Sequence, residues 1–233
     1  CQDDLDGDGV IGVNDLMQLL SSFGTDCAPT EEPETAEWTC GDPVSYHGYD
    51  YTTVQIGEQC WFAENLRTEH YANGDAIPGE LSDSEWSSTT EGAQAVYGND
   101  VSNLEAYGRL YNGYSANDAR GLCPSGWHVP INEEHNTLVN YLGGDSISGM
   151  KLKSSPEDIP SWDGSNVSGF AALAGGFRHH TGVMDHLGWH GGYWSSTSGG
   201  PSALCIVLND AYSGSGQIFY PYVYGQSVRC LKD

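Results

Sequence analysis

A β-hairpin is predicted in the segment Val44-Ser45-Tyr46-His47-Gly48-Tyr49-Asp50-Tyr51-Thr52-Thr53-Val54-Gln55-Ile56. Aromatic and β-branched residues lie on both sides of His47-Gly48, which is typical of two short strands joined by a tight turn. Short apolar runs separated by Gly-rich turns also occur further along the chain. Further strands are predicted near residues 170–173, 176–180, 193–196, 203–208, 218–222 and 227–231.

One clear helix interrupts these strands. We expect Asn132 to cap it and Gly143-Gly144 to end it. Its buried stripe is expected to consist of His135, Leu138, Val139 and Leu142. Residues 40–233 are therefore predicted to form one α+β domain with short antiparallel strands, one clear helix and long loops.

The segment before this domain contains a calcium-loop pattern between Asp4 and Asp15. A twelve-residue EF-hand loop supplies oxygen ligands from positions 1, 3, 5, 7, 9 and 12, with glycine at position 6 for the sharp turn. Gly9 occupies the turn position. The ligand positions hold Asp4, Asp6, Asp8, Val10 (through its carbonyl), Gly12 and Asp15. We expect Ca²⁺ to bind here, and the alternative is an acidic turn that binds nothing.

A short helix is predicted after the calcium loop, because Val13, Leu16, Leu20 and Phe23 recur at helical spacing and Gly24 follows. No helix precedes the loop, so the unit resembles one half of a dockerin repeat. Dockerins carry two repeats, and one is visible here. A spacer that calcium makes rigid is therefore favoured over cohesin binding.

Three regions are predicted: a calcium module over residues 1–27, a linker over residues 28–39, and the long domain over residues 40–233. The linker is rich in Pro, Thr and Glu, so it should be extended. Cys1 and Cys27 bracket the small module and could form a disulfide across it. Cys1 could instead be the lipidated first residue of a lipoprotein.

The composition narrows the possible partners and the compartment. The 233 residues include 32 acidic and 8 basic side chains, with a formal net charge of −24. Nucleic acid and anionic membranes are therefore unsuitable partners, and no apolar run is long enough to span a bilayer. Seven cysteines without a C-x-x-C pair favour disulfides and an oxidising compartment.

Several motifs of the long domain, in this order and spacing, resemble the Fibrobacter succinogenes major paralogous domain. They include Trp61-Phe62-Ala63-Glu64-Asn65-Leu66-Arg67, Tyr107-Gly108-Arg109-Leu110-Tyr111-Asn112, Gly121-Leu122-Cys123-Pro124-Ser125-Gly126-Trp127-His128-Val129-Pro130, Gly191-Gly192-Tyr193-Trp194-Ser195-Ser196-Thr197 and Ser227-Val228-Arg229-Cys230. That family is similar to C-type-lectin-like and formylglycine-generating-enzyme-like folds. It occurs on secreted or surface proteins of Bacteroidota and Fibrobacterota.

The resemblance implies an extracellular or outer-surface location on a bacterium, and it implies two disulfides. Cys40 would pair with Cys60 around the first hairpin, and Cys123 with Cys230, as chain termini are tied in lectin-like folds. Cys205 is left over. A buried thiol is the favoured interpretation of Cys205, and a reactive or intermolecular cysteine is the alternative.

No catalytic centre is predicted. Ser195 and Ser196 lie outside any G-x-S-x-G motif, no H-E-x-x-H occurs, and Glu133 and Glu134 suit the acidic first turn of a helix. An enzyme of formylglycine-generating type would need a cysteine pair that Cys205 and the bridged Cys230 do not supply. Four histidines between His179 and His190 could bind zinc or copper, although an exposed polar loop is favoured.

Most candidate contact residues lie in or beside the predicted strands of the last third of the chain, which we call the late strands. Ile206 and Val207 point to opposite sides of one strand, as do Phe219 and Tyr220, so both faces are apolar. The second face is covered either by the domain's own core or by another protein chain. The candidate ligand or interface residues are Trp189, Tyr193, Trp194, Leu204, Ile206, Phe219, Tyr220, Tyr222 and Tyr224.

The favoured function is a non-catalytic interaction module that acts in adhesion or as a self-associating subunit of an extracellular assembly. Its expected partners are other protein chains, including copies of itself, with calcium as the cofactor. The alternative is a carbohydrate-binding domain in which exposed aromatic rings stack on sugars. The E-P-N, Q-P-D and W-N-D motifs of calcium-dependent lectins are absent, and an enzyme is the third choice.

Overall fold

A computed structural model describes residues 4–21 and 38–233 of the chain. The chain divides into two units, Cys1–Trp38 and Thr39–Asp233. In the first unit the predicted acidic loop leads into helix α1, Val13–Ser21. Phe23, Gly24, residues 28–37 of the predicted linker, and the predicted Cys1–Cys27 disulfide lie outside the described residues.

The second unit contains five helices among its described residues, where one clear helix was expected. They are α2 (Asp83–Ser88), α3 (Ser102–Tyr107), α4 (Gly113–Ala116), α5 (Asn132–Tyr141) and α6 (Asp145–Leu152). The predicted helix is α5, and His135, Leu138, Val139 and Leu142 are buried as expected. The other four are shorter than α5, so they show less of the 3.6-residue periodicity that identified it.

The start of α5 differs from the prediction. Asn132 is the first helical residue, and Ile131 occupies the cap position. The side chain of Glu134 accepts a hydrogen bond from the Ile131 amide at 2.8 Å. The amide of Asn132 donates to Thr197 Oγ1 at 2.8 Å. Glu134 therefore reaches back to the backbone N–H that precedes the helix, as the glutamate of a capping box does.

Fourteen strands form three sheets in the described part of the second unit. A two-stranded sheet pairs β1 (Val44–Tyr46) with β2 (Tyr49–Tyr51). A four-stranded sheet has the order β3 (Thr53–Ile56), β4 (Gln59–Phe62), β14 (Leu231–Lys232) and β7 (Trp127–His128). An eight-stranded sheet has the order β12 (Gly216–Pro221), β11 (Ser202–Asn209), β10 (His190–Gly199), β8 (Gly175–Arg178), β13 (Gly225–Gln226), β6 (Leu110–Asn112) and β5 (Gln94–Ala95), with β9 (Met184–Leu187) paired to β8.

The first hairpin is present, and its second arm is split between two sheets. β2 ends at Tyr51 and β3 begins at Thr53. The amide and hydroxyl of Thr52 donate to Glu64 Oε1 at 3.0 Å and 2.9 Å, and Ala63 donates its amide to the Thr52 carbonyl. These bonds to the segment after β4 satisfy the backbone where the chain passes from one sheet to the next.

Most of the predicted late strands are present with small shifts in their ends. The segment 170–173 is an exception, because it contributes a single bridge between Ala172 and Lys153. In the segment 227–231 the last strand begins only at Leu231. The chain as a whole is mixed α+β, with antiparallel pairing throughout the named strands except between β8 and β10.

The core lies on both faces of β11. Ala203, Cys205 and Val207 belong to one apolar cluster, which also contains Trp194. Ile206 and Leu208 belong to a second cluster on the opposite face of the strand. The continuous apolar run in this strand is therefore explained by burial within the domain itself.

Two disulfides brace the domain. Cys40 pairs with Cys60, and Cys123 pairs with Cys230, as the family resemblance implied. Cys205 is a free, buried thiol, and burial raises its pKa far above the ordinary value. None of the helices in the described residues has the length and apolar character that crossing a bilayer requires.

Candidate functional site

The structure divides the predicted contact residues into buried and accessible groups. Tyr193, Trp194, Leu204 and Ile206 are at most 5% exposed. They belong to the core of the domain, which corrects their assignment to a contact surface. Phe219 and Trp189 are exposed, and Tyr220, Tyr222 and Tyr224 are partly buried. The sequence could not separate these groups, because every one of them lies in a strand or turn of similar apolar composition.

Two of the exposed apolar residues of the long domain, Ile218 and Phe219, lie on the terminal strand of the large sheet. β12 is its terminal strand and pairs with β11 on one side only. Two helices hold the chain where it enters β12. Met150 of α6 donates its amide to the Ser213 carbonyl, and Gln217 Nε2 donates to Asn136 Oδ1 of α5 at 2.6 Å. Residues 218–221, which we call the open edge, have no neighbouring strand among the described residues on their outer side.

Two large apolar side chains project from the open edge. Ile218 is 44% exposed and Phe219 is 51% exposed. Ile218 lies opposite Cys205, and Phe219 lies opposite Leu204 in the antiparallel register. Residues directly opposite each other share a face, so the two side chains emerge on opposite faces of the sheet. The sequence analysis lists Phe219 among the individual contact residues, and Ile218 lies in the predicted strand 218–222.

Tyrosines support the open edge from one side. Tyr220 packs partly against the core, and its ring lies 5.0 Å from that of Tyr224. Burial raises the pKa of Tyr220 to about 12. Tyr222 contacts the ring of Tyr114 at 5.2 Å, and its amide donates to Pro201. These three tyrosines fix the end of β12 and the turn that follows it.

The open edge lies in a nearly uncharged part of an acidic chain. Between Asp185 and Arg229 the sequence has one Asp, Glu, Lys or Arg residue, which is Asp210. Natural edge strands are usually protected by charged residues, proline or a covering element. Here Pro221 is the one such residue on the open edge. The sequence contains this signal as a gap in its charge pattern.

The calcium loop has part of the geometry that the ion needs. Carboxylate oxygens of Asp4, Asp6 and Asp8 lie within 4.8 Å of one another. Gly9 has a positive φ of 88°, as the sharp turn requires. Three carboxylates of this kind fit a hard divalent cation, for which the Val10 carbonyl and water would complete the shell.

The Asp15 carboxylate bonds the backbone of the loop and does not converge with the other three carboxylates. Its Oδ1 accepts the Leu5 amide at 2.6 Å and the Asp6 amide at 3.2 Å, and its Oδ2 accepts the Gly12 amide at 2.6 Å. The hydrogen bond from Gly12 is the main cause of the lowered pKa of Asp15. The carboxylate therefore stays ionised and holds the two ends of the loop together.

The histidines between His179 and His190 do not gather as metal ligands. Within residues 4–21 and 38–233, the group of His, Cys, Asp and Glu side chains that converges closely enough for an ion is Asp4, Asp6 and Asp8. His180 Nδ1 instead contacts Tyr224 Oη at 3.0 Å, and His190 Nδ1 contacts Asn209 Oδ1 at 3.0 Å. His186 stacks on Phe177. His180 and His186 are exposed, whereas His190 is buried.

The serines considered for catalysis make structural contacts. The Ser195 hydroxyl is fully buried and accepts the Thr197 amide at 3.1 Å. The Ser196 hydroxyl donates to the Val129 carbonyl at 2.9 Å. Glu134, beside them in the first turn of α5, bonds His128 Nε2 at 2.9 Å as well as the Ile131 amide. The Ser195 bond lies within β10, whereas Ser196 and Glu134 bond the backbone of the segment that leads into α5.

Comparison with known proteins identifies the family of the long domain. The family model described as the Fibrobacter succinogenes major domain matches residues 54–232, which is most of the chain. Comparisons with curated proteins and with solved structures returned no match. The two disulfides fit an extracellular domain. By the extent of this match, the chain belongs to the Fibrobacter succinogenes major domain family.

Proposed function

We propose that this protein is a non-catalytic interaction module of the bacterial cell surface or extracellular space, and that it self-associates through the open edge. The observation that carries the proposal is the half-exposed pair Ile218 and Phe219 on a terminal strand whose outer edge has no neighbouring strand among the described residues. An exposed strand edge offers unpaired backbone groups to another chain, and apolar side chains beside it add area to bury.

The charge distribution favours a second copy of this chain as the partner that pairs with the open edge. Two copies with a formal charge of −24 each repel one another over most of their surfaces. Electrostatic repulsion is smallest where both contacting surfaces lack charge. The open edge meets this condition, because Asp210 is the one charged residue between Asp185 and Arg229. An antiparallel pairing of the same edge from two copies would place neutral surface against neutral surface.

Calcium and disulfides are proposed to stabilise the chain for this role. Asp4, Asp6 and Asp8 would hold Ca²⁺ in the first unit, where the convergence of their oxygens supports binding. A C-type-lectin-like arrangement of the long domain is part of the same proposal. It is supported by the disulfide from Cys123 to Cys230, which ties the end of the domain to the segment before α5.

The test introduces charge on the open edge. Phe219→Lys places an ammonium on a side chain that is half-exposed in the single chain, so the domain should fold normally. Burying that charge in a contact without a partner is costly, so association should weaken by about tenfold or more. Light scattering coupled to gel filtration, over a range of concentrations with calcium present, reports the mass.

Val101→Lys is the matched control, because Val101 is 77% exposed and lies on the segment before α3. It adds the same charge elsewhere and should leave association unchanged. Ile206→Lys should instead unfold the domain, since Ile206 is 3% exposed. A native protein that stays monomeric at high concentration, or an assembly that Phe219→Lys leaves intact, would contradict the proposal.

A further inference from the structure

A second accessible surface lies at the start of β10, away from the open edge. Tyr97, Asp185, His186, Leu187 and Trp189 line a groove of about 330 Å³, which we call the tryptophan groove. Trp189 is 65% exposed, although tryptophan is highly buried on average. The volume is at the lower end of the range for small-molecule sites.

The backbone holds Trp189 firmly despite the exposure of its ring. Its amide donates to the His186 carbonyl at 3.0 Å, and its carbonyl accepts the Asp210 amide at 2.8 Å. The turn needs a positive φ at both His186 and Gly188, at 63° and 80°. The strained conformation of His186 is supported by its ring, which stacks on Phe177 with centroids 5.2 Å apart.

Tyr97 forms the other side of the groove, and hydrogen bonding and packing hold it in place. Tyr97 begins a 3₁₀ turn, Tyr97–Asn99, and its carbonyl accepts Asn103 Nδ2 at 3.0 Å. Its ring lies against Gly176, where a Cβ would come within 2.7 Å of Tyr97 Cε2. The ring of Tyr97 and the backbone of Trp189, from sequence positions far apart, are thus held beside one small groove.

The polar groups in the groove suit hydroxyl ligands. The Asp185 side chain is 65% exposed, with Oδ1 accepting the His186 amide at 2.8 Å and Oδ2 lying 3.3 Å from His186 Nδ1. Each carboxylate oxygen can accept more than one hydrogen bond, so the exposed Asp185 carboxylate can still accept hydrogen bonds from a ligand. The groove therefore combines apolar ring faces with one carboxylate and one imidazole.

We propose that the tryptophan groove binds a neutral carbohydrate, with a sugar ring stacked on Trp189. A pyranose has an apolar C–H face and a rim of hydroxyls, which match the indole face and the Asp185 and His186 side chains. The chain's formal charge of −24 disfavours anionic polysaccharides. The groove lies beyond β10 and β11 from β12, so this activity is independent of self-association.

The test uses the full chain and defined soluble sugars. The panel consists of hexasaccharides of β-1,4-glucan, β-1,3-glucan, β-1,4-xylan, β-1,4-mannan and α-1,4-glucan, titrated calorimetrically. We expect saturable binding of at least one of them, with protection of tryptophan fluorescence from acrylamide. Trp189→Ala should weaken binding by about tenfold or more, because it removes the stacking surface, and Trp189→Phe should retain part of it.

Tyr141→Ala is the matched control, because Tyr141 is an aromatic residue with 66% exposure on another surface. It should leave sugar affinity unchanged, as should Phe219→Lys on the open edge. Asp185→Asn distinguishes a sugar from a cation. An amide still bonds hydroxyls, so sugar binding should fall only a few-fold, whereas binding of a quaternary ammonium such as choline would be lost.

Three results would overturn the proposal. They are no binding to any sugar in the panel, sugar affinity that Trp189→Ala leaves unchanged, and choline binding that Asp185→Asn abolishes while no sugar competes. Self-association would still be tested separately by Phe219→Lys, so the two proposals can fail independently.

Discussion

Individual charged residues tie distant segments of this domain together from the inside. Arg229 is 1% exposed and has no carboxylate partner in contact among the described residues. Its Nε donates to Asn65 Oδ1 at 2.9 Å, and its terminal nitrogens donate to the carbonyls of Phe170 and Ala171. Burial lowers its pKa, yet arginine remains charged at any physiological pH. The segment 170–173 is therefore ordered by a side chain where a strand was expected.

Lys153 plays a similar role at the segment that leads into β12. It is fully buried, and its Nζ donates to the carbonyls of Asn209 and Tyr212 at 3.1 Å and 2.9 Å. Asp163 Oδ1 lies 2.6 Å from the same nitrogen. One ammonium thereby holds the end of β11 and the loop between β11 and β12.

His135 should make the domain sensitive to acid. It is 2% exposed and stacks on Trp61, and burial lowers its pKa from 6.5 to about 4. Between these pH values the unfolded chain binds a proton that the folded chain does not, so stability is lost as the pH falls. His135→Phe keeps an aromatic ring there and removes the titration.

The wild type should therefore lose about 3 kcal/mol more than His135→Phe between pH 6.5 and pH 4, from the size of this pKa shift. Urea unfolding at a series of pH values measures the difference. Equal pH dependence in the two proteins would show that His135 is accessible to protons in the folded state.

At the scale of elements, the environment of a strand decides what its apolar residues do. β11 and β12 are neighbours with similar composition, but β11 is covered on both faces and β12 is open at one edge. The helices show the same dependence on context. α5 begins one residue earlier than its sequence suggested because Glu134, and not Asn132, satisfies the backbone at its start.

The two candidate caps of α5 can be separated by substitution. Asn132→Ala should change the free energy of unfolding by less than about 0.5 kcal/mol, because the Asn132 Oδ1 atom is buried without a partner in the described structure. Glu134→Ala should cost about 1 kcal/mol, since it leaves the Ile131 amide unpaired. Thermal or urea unfolding monitors both. A larger loss of unfolding free energy for Asn132→Ala than for Glu134→Ala would show that Asn132 caps the helix.

At the scale of the whole molecule, two disulfides close loops of very different length. The sequence separation is 107 residues for Cys123–Cys230 and 20 residues for Cys40–Cys60. A cross-link restricts the unfolded chain more when the loop is longer. The long bridge therefore restricts most of the domain, and the short one restricts only the first strands.

Removing the long bridge should cost more stability. The chain-entropy model gives about 4–5 kcal/mol for the double substitution Cys123→Ala with Cys230→Ala, and about 3 kcal/mol for Cys40→Ala with Cys60→Ala. Both pairs are compared by urea unfolding under oxidising conditions. Equal losses would mean that local packing around the sulfurs outweighs the entropy of the unfolded chain.

Salt should strengthen self-association if neutral surfaces meet while the rest of each copy repels. The Debye length falls from about 20 Å at 20 mM salt to about 6 Å at 0.3 M, so long-range repulsion between the acidic copies is screened. Sedimentation velocity at the two salt concentrations should show more of the larger species at high salt. A decrease would indicate that ion pairs, and not the open edge, hold the copies together.

The amino-acid sequence by itself determined the family, the mixed α+β class, the first hairpin, the position and buried stripe of α5, and both disulfides of the long domain. The disulfide pairing was implied by the family resemblance, because Cys123 and Cys230 are 107 residues apart and local sequence does not pair them. The other features depend on local periodicity, turn residues or motifs with characteristic spacing, so neighbouring residues carry the information. The calcium loop is also a local pattern, and calcium binding stays a prediction.

The tertiary structure alone decided which apolar residues are accessible. Ile206 and Phe219 look alike in sequence, but one is enclosed by two clusters and the other lies at a sheet edge. Only the fold brings Tyr97 to Trp189 to form the tryptophan groove. The physical reason is that burial depends on what packs against a residue from distant parts of the chain, and local composition does not contain that information.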